Sequence, residues 1–244
     1  MSGAAFLDTI SGDGHALLAA AETNWARPVP DCPDWDAAGL VRHTGAILAW
    51  MAAIVVTGEP ASFRSLSPAP EVDADLPAWF LANLDRTVSA LRDADAQQKA
   101  WTFSSLGDHR VSWWRRRLAV EAAIHRWDAQ YAVAVQGGAA PTPLDADVAA
   151  VGIEEFVTEF LPGLLDQSTD RPTGKVHLLL TDAAPHRWLD LDELGNDVPF
   201  HAQADAIVRG TGSDVLLWLT NRRADSVDVR GDRDLLDAWT RLKR

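Results

Sequence analysis

Trp114-Arg115-Arg116-Arg117-Leu118-Ala119-Val120-Glu121-Ala122-Ala123-Ile124-His125-Arg126-Trp127-Asp128 is the stretch that decides how this chain is read. With Val111 ahead of it, the residues Val111, Trp114, Leu118, Glu121, His125 and Asp128 recur at alternating steps of three and four. That spacing marks one helix face turned toward a core. Glu121, His125 and Asp128 are ionisable, yet they occupy positions where the spacing calls for apolar side chains. A carboxylate buried in a bundle core is costly unless something compensates it. Glu121 and His125 lie four apart, so they project from the same face one turn apart.

Working outward, the same spacing recurs before this stretch. Leu7, Ile10, Gly14, Leu17 and Ala21 form a first seam that ends before Arg27-Pro28-Val29-Pro30. A turn-rich link follows, in which Asp34 or Asp36 can cap the next helix by accepting its orphan N–H groups. The second seam is Leu40, His43, Ile47, Trp50 and Ile54, stopping near Gly58-Glu59-Pro60. A Ser- and Pro-rich loop leads to a third seam of Leu76, Phe80, Leu84, Val88 and Leu91. Residues 101–109 read as an irregular connection, and the fourth helix fades at Gln136-Gly137-Gly138. Four such helices predict a four-helix bundle over residues 1–140, with Pro141-Thr142-Pro143 as the boundary.

Residues 144–244 change character. Helical periodicity runs over 144–165. Residues 175–181 and 186–191 read as a strand hairpin with its turn at 182–185. Residues 204–209 and 227–230 are short strands, and 215–220 and 235–242 short helices. The expected class is therefore α+β: a helical bundle followed by a small α/β domain.

Composition narrows the function. The 244 residues carry a net charge of −13 and no long basic tract, which disfavours a nucleic-acid partner. Residues 46–56, the longest apolar run, are too short to span a bilayer, and the N-terminus lacks the basic start of a signal peptide. Cys32 stands alone, which excludes an internal disulfide and fits a reducing compartment. The expectation is a soluble cytoplasmic protein, monomer or homodimer, with no membrane partner. Tryptophan is abundant, 11 against a single tyrosine, and fits core filling first and pocket walls second.

His43, Glu121 and His125 are the candidate ligand set. Two imidazoles and one carboxylate suit a catalytic zinc ion with an open fourth position, and also fit the facial triad of non-haem iron. Asp128 is placed to accept the free ring N–H of His125 and fix its tautomer. Two metal-free readings stand beside this: an ordinary salt bridge from Glu121 to Arg117, and a hydrogen-bonded polar network. His15 reads as surface, His177, His186 and His201 as sheet-face residues, and His109 as a loop residue within reach of the bundle mouth. Arg115-Arg116-Arg117 reads as a solvated helix start. Arg222-Arg223 reads as surface charge or a carboxylate clamp. Cys32 reads as structural.

Two blocks carry a family resemblance. Val29-Pro30-Asp31-Cys32-Pro33-Asp34-Trp35 leads into Leu40-Val41-Arg42-His43, and the stretch from Trp114 to Asp128 ends in Glu121-x-x-x-His125-Arg126-Trp127-Asp128. Together they resemble the mycothiol-dependent maleylpyruvate isomerase family, whose N-terminal domain is a DinB-like metal-binding bundle. Asp214 to Arg223 and Val229-Arg230-Gly231-Asp232 resemble its second domain, a small module similar to sterol-carrier domains. The family often has glycine before the arginine pair, where this chain has Asn221. The resemblance implies His43, Glu121 and His125 as zinc ligands, mycothiol as cofactor or co-substrate, and Arg222 or Arg223 as a catalytic contact to the substrate.

The expected function is a metal-dependent enzyme that uses a low-molecular-weight thiol. It either isomerises a cis alkene to trans, in the manner of maleylpyruvate isomerase, or transfers the thiol to an electrophile. Its partners would be that thiol and a small anionic or electrophilic substrate. The alternative is a protein that binds metal and small ligand without turnover.

Overall fold

The computed structural model describes residues 2–66, 68–182, 186–194, 203–222 and 227–242. The chain divides into two compact units, Met1–Leu144 and Asp145–Arg244.

The first unit is built from α1 (Gly3–Ala21), α2 (Ala37–Thr57), α3 (Leu76–Asp93) and α4 (Val111–Ala134). α1 packs on α4 and α3, and α2 packs on α3 and α4. The order around the bundle is therefore α1-α4-α2-α3, and α4 stands between the first two helices. This places His43 of α2 beside Glu121 and His125 of α4. The expected seams of α1, α3 and α4 face inward: Ile10, Leu17, Phe80, Leu84, Leu91, Trp114 and Leu118 are all buried.

α2 departs from the expected seam. Its buried stripe runs through Val41, Thr44, Leu48, Met51 and Val55, joined by Leu40 and Ile54, while His43, Ile47 and Trp50 sit at the margin. The helix is apolar around most of its circumference, so spacing alone does not fix which side faces in. By length and composition α2 is also long and apolar enough to cross a bilayer, although the apolar run read from the sequence is shorter. More than half of its most apolar window is buried inside the structure.

Local chemistry fixes the helix ends. Asp36 caps α2 by accepting from the Gly39 N–H at 2.7 Å. Gly58 ends it with φ 76°, a left-handed residue that glycine takes without strain. α4 has no side-chain cap, and its first N–H groups are instead taken by loop carbonyls: Val111 donates to Gln98 O and Ser112 to Ala96 O. Arg115 corrects the expectation of a solvated arginine triplet. Its guanidinium donates to the Leu91 and Ala94 carbonyls at 2.7 and 2.9 Å, closing the end of α3. Arg116 pairs with Asp108 at 2.9 Å. Trp50, Trp101, Trp113 and Trp114 cluster with Phe63 and Phe103 near the N-terminal end of α4.

The second unit opens with a single rod: α5 (Ala146–Glu155), a π-helical turn (Phe156–Phe160) and α6 (Leu161–Gln167). Pro162 explains the wide turn. It has no N–H to give to the Thr158 carbonyl one turn back, and its ring would crowd that oxygen in a regular helix. A four-stranded sheet follows, ordered β2 (Arg187–Asp190), β1 (Lys175–Leu180), β3 (Ala206–Gly210), β4 (Asp228–Gly231). β1 runs antiparallel to β2 and parallel to β3, and β3 runs antiparallel to β4. Val176, Leu178, Leu180, Leu189, Ala206 and Val208 face the core at the two-residue period of a half-buried sheet.

α7 (Gly212–Leu219) packs on β3 and β1, and α5 packs on α7. Trp218 of α7 stacks on Trp239 of α8 (Arg233–Arg241) with ring centroids 5.4 Å apart. Residues 183–185 of the expected hairpin turn, His201 and Arg223 lie outside the described residues.

Asn221, where the resemblance leads glycine to be expected, has a backbone explanation. It follows α7 with φ 61°. Its N–H donates to Trp218 O at 3.1 Å, and that of Arg222 to Leu217 O at 2.8 Å. This pair of bonds is a Schellman ending, in which the first residue beyond the cap must be left-handed. Glycine serves best there, and asparagine is the usual substitute.

Candidate functional site

Two turns of α4 and one residue of α2 form the site. His43, Glu121 and His125 each offer a ligand atom, and these atoms lie within 4.8 Å of one another. Glu121 Oε1 is the focus: it is 3.1 Å from His125 Nε2 and 3.4 Å from His43 Nε2. The second carboxylate oxygen, Oε2, accepts from the Arg117 guanidinium. The metal-free salt bridge to Arg117 and the cluster with two histidines therefore coexist, one on each oxygen.

His125 is oriented from behind. Its Nδ1 donates to Asp128 Oδ2 at 2.9 Å, and the Asp128 side chain is fully buried. An ionised carboxylate only accepts, so Nδ1 carries a proton and Nε2 is the nitrogen presented to Glu121. Burial pulls the His125 imidazole down, but Glu121 and Asp128 outweigh it and raise its pKa to about 9. Burial likewise pushes the Glu121 carboxyl up. Arg117 and the two histidines overcome that and hold it well below the usual carboxylate range.

With no ion bound, the charged ring thus donates from both nitrogens, to Asp128 and to Glu121. A divalent cation set in place of the Nε2 proton would keep the same neighbours. The donor set therefore fits such an ion: two imidazole nitrogens and a carboxylate oxygen already converge, and one ligand histidine already has its carboxylate partner.

Trp35 packs on both histidines, with ring centroids 4.5 Å from His43 and 5.8 Å from His125. Its role was not legible beyond membership of the Cys-Pro-x-Trp block. The turn that positions it is held by Trp35 N–H to Cys32 O and Val29 N–H to Trp35 O. Cys32 Sγ lies 4.0 Å from Asp128 Oδ2.

Other expected residues stand elsewhere. His109 Nδ1 is 3.0 Å from Thr102 Oγ1 in the loop before α4 and is not one of the clustered ligands. His15 is exposed. His177 lies on the sheet, stacked on Trp188 at 4.2 Å. Arg222 follows α7, and its guanidinium donates to Thr220 O at 2.8 Å.

A helical bundle with a convergent His-Glu-His set, followed by a small mixed-sheet unit, defines a recognisable class of two-domain proteins. The chain belongs to the mycothiol maleylpyruvate isomerase family. Residues 7–130 match the mycothiol maleylpyruvate isomerase N-terminal domain, and residues 147–238 match the MDMPI C-terminal domain. Two crystal structures share its fold. One is the mycothiol-dependent maleylpyruvate isomerase, at 16% identity and TM-score 0.62. The other is a histidine-to-alanine mutant of that enzyme, at 12% identity and TM-score 0.64. Each likeness covers 94% of this chain and 93% of the other. No functionally curated protein matches the chain in sequence.

Proposed function

We propose that this chain is a metal-dependent, cytoplasmic enzyme that uses mycothiol to isomerise a small anionic alkene from cis to trans. The single observation that carries the reading is the convergence of His43, Glu121 and His125 in a chain of this family. His43 Nε2, Glu121 Oε1 and His125 Nε2 would hold one divalent ion, zinc on our reading. The chemistry such an ion supplies is acidification of a coordinated thiol, which keeps the cofactor sulfur as thiolate at neutral pH.

The chain's own residues do the rest. Asp128 holds His125 in one tautomer and one orientation. Arg117 neutralises part of the Glu121 charge. Trp35 walls the two histidines and keeps water from that side. Arg222 or Arg223 is our proposal for the side chain that grips a substrate carboxylate, since a guanidinium matches a carboxylate bidentately.

The test is turnover of maleylpyruvate by zinc-loaded protein, with and without mycothiol. Formation of the trans product, with the thiol recovered unchanged, supports the isomerase. Consumption of the thiol into a stable adduct would make the protein an S-transferase. Binding of thiol and substrate with no product would make it a binding protein. Activity unaffected by a chelator would remove the metal from the reading.

A further inference from the structure

The two oxygens of Glu121 have different surroundings, and the difference bears on how many positions around an ion stay open. Oε1 faces both imidazoles, at 3.1 and 3.4 Å. Oε2 is turned to Arg117, one turn earlier on the same helix. Both side chains of this pair are only 13% exposed. Exposed pairs at this spacing contribute little to stability and rearrange freely. A buried, charge-assisted hydrogen bond is stronger and directional, and breaking it leaves a charge without its partner.

We infer that Arg117 is a positioning residue that restricts Glu121 to single-oxygen ligation through Oε1, so that a coordination position is kept for the thiol. This rests on the proposed metal reading. A carboxylate can bind a cation through one oxygen or through both. Two-oxygen binding here requires Oε2 to leave Arg117 and swing toward the histidines. With Arg117 in place the protein contributes three ligand atoms, the number that leaves a four-coordinate ion one open site. Without it, Oε2 competes with the incoming thiol for that site. Arg117 also draws negative charge from the carboxylate, so the ion keeps more of its own pull on a thiol sulfur.

The experiment uses the full chain loaded with cobalt(II). The visible bands of cobalt are intense when it is four-coordinate and weaken as its coordination number rises. Wild type should show the intense bands, and added mycothiol should bring up a thiolate-to-cobalt charge-transfer band. In Arg117→Met the visible bands should weaken several-fold, and the thiol titration should shift to about tenfold higher concentration. Arg117→Lys, which still presents a charged donor to Oε2, should restore both toward wild type. A residue that only braced the helix would leave the cobalt spectrum unchanged on substitution. An Arg117→Met protein with the wild-type spectrum and thiol titration overturns the assignment while the metal reading stands. A wild type that takes up no cobalt overturns both. Should Arg117→Met not fold, Arg117→Gln, with a shorter and neutral donor, is read by the same criterion.

Discussion

The two histidines of the site come from regions built in different ways. His125 stands on the buried face of α4 with its side chain 7% exposed, hydrogen-bonded to Asp128 on one side and Glu121 on the other. His43 stands at the margin of α2, 33% exposed, with a long 3.4 Å contact to Glu121 and the face of Trp35 beside it. The α4 half is held in place by its own charges whether or not an ion is present. The α2 half is held by a helix whose buried stripe runs one position over. A site made this way separates two demands: α4 supplies a fixed, charged frame, and α2 supplies a nitrogen with room to adjust.

Substitutions sharpen that contrast. The largest expected effect is that of His125→Ala. In protein stripped of metal it should lower stability by about 3 kcal/mol, the low end for breaking a buried charge pair, because Glu121 keeps Arg117. Urea denaturation with a chelator present measures this. The same variant should lose the rise in melting temperature that zinc gives wild type, since an ion that binds only the folded state stabilises it by mass action. Wild type whose melting temperature ignores both zinc and chelator would end the metal reading.

The pH dependence of the metal-free protein comes next. The folded-state pKa of His125 is raised from 6.5 to about 9. Its contribution to stability is therefore complete below the unfolded value and is lost as pH rises through about 9. Glu121 is depressed, so its contribution is present above the ordinary carboxylate pKa and is lost as pH falls toward its lower folded value. Thermal melts with chelator should show stability falling on the alkaline side in wild type but not in His125→Ala. Zinc should lift that alkaline limb, because the ion and the Nε2 proton compete for one lone pair.

Asp128→Asn should have a smaller effect. The amide is close in shape but neutral, so the metal-free protein should lose about 1.5–3 kcal/mol, the worth of a hydrogen bond to a charged group. Zinc affinity should fall about 10–100-fold, as is typical for the partner of a ligand histidine. Calorimetric titration reads the affinity directly. The smallest effect on metal-free stability belongs to His43→Ala, which should stay within about 0.5 kcal/mol of wild type. Its zinc affinity should nevertheless drop by orders of magnitude, since only two protein ligands remain. A large stability loss in metal-free His43→Ala would erase the distinction between the two halves.

This contrast also explains what could be read in advance. The α4 seam was legible because its polar intruders are conspicuous: Trp114 and Leu118, the bulky residues at the seam spacing, fix the face on which Glu121, His125 and Asp128 must lie. The face of α2 was not. Ala, Ile, Leu, Met and Val nearly encircle it, and a rotation of one position satisfies the spacing equally well. Arg115 was misread for a different reason: the carbonyls it caps belong to α3, some twenty residues earlier, and no local pattern announces them. Arg117 was legible as a partner for Glu121 through its four-residue spacing. That it takes only one of the two oxygens is a matter of side-chain geometry alone. Asn221 was visible where the resemblance leads glycine to be expected, but its meaning needed a backbone angle.

The packing of α1 against α4 has a consequence for how the chain reaches this state. In a bundle whose neighbours in sequence are neighbours in space, each helix is covered as soon as the next is made. Here α1 barely touches α2 and rests instead on α3 and α4: Asp13 of α1 meets Arg126 of α4 across a separation of 113 residues. An up-and-down bundle also sets its first helix against its last, but here α1–α3 and α2–α4 packing largely replaces that of the sequence neighbours α1–α2 and α3–α4, which raises the contact order and should slow folding accordingly. On a ribosome the apolar face of α1 is only partly covered, by α3, until α4 has emerged. The same late event brings α4 against α2, so the candidate ligands meet only once the bundle has closed.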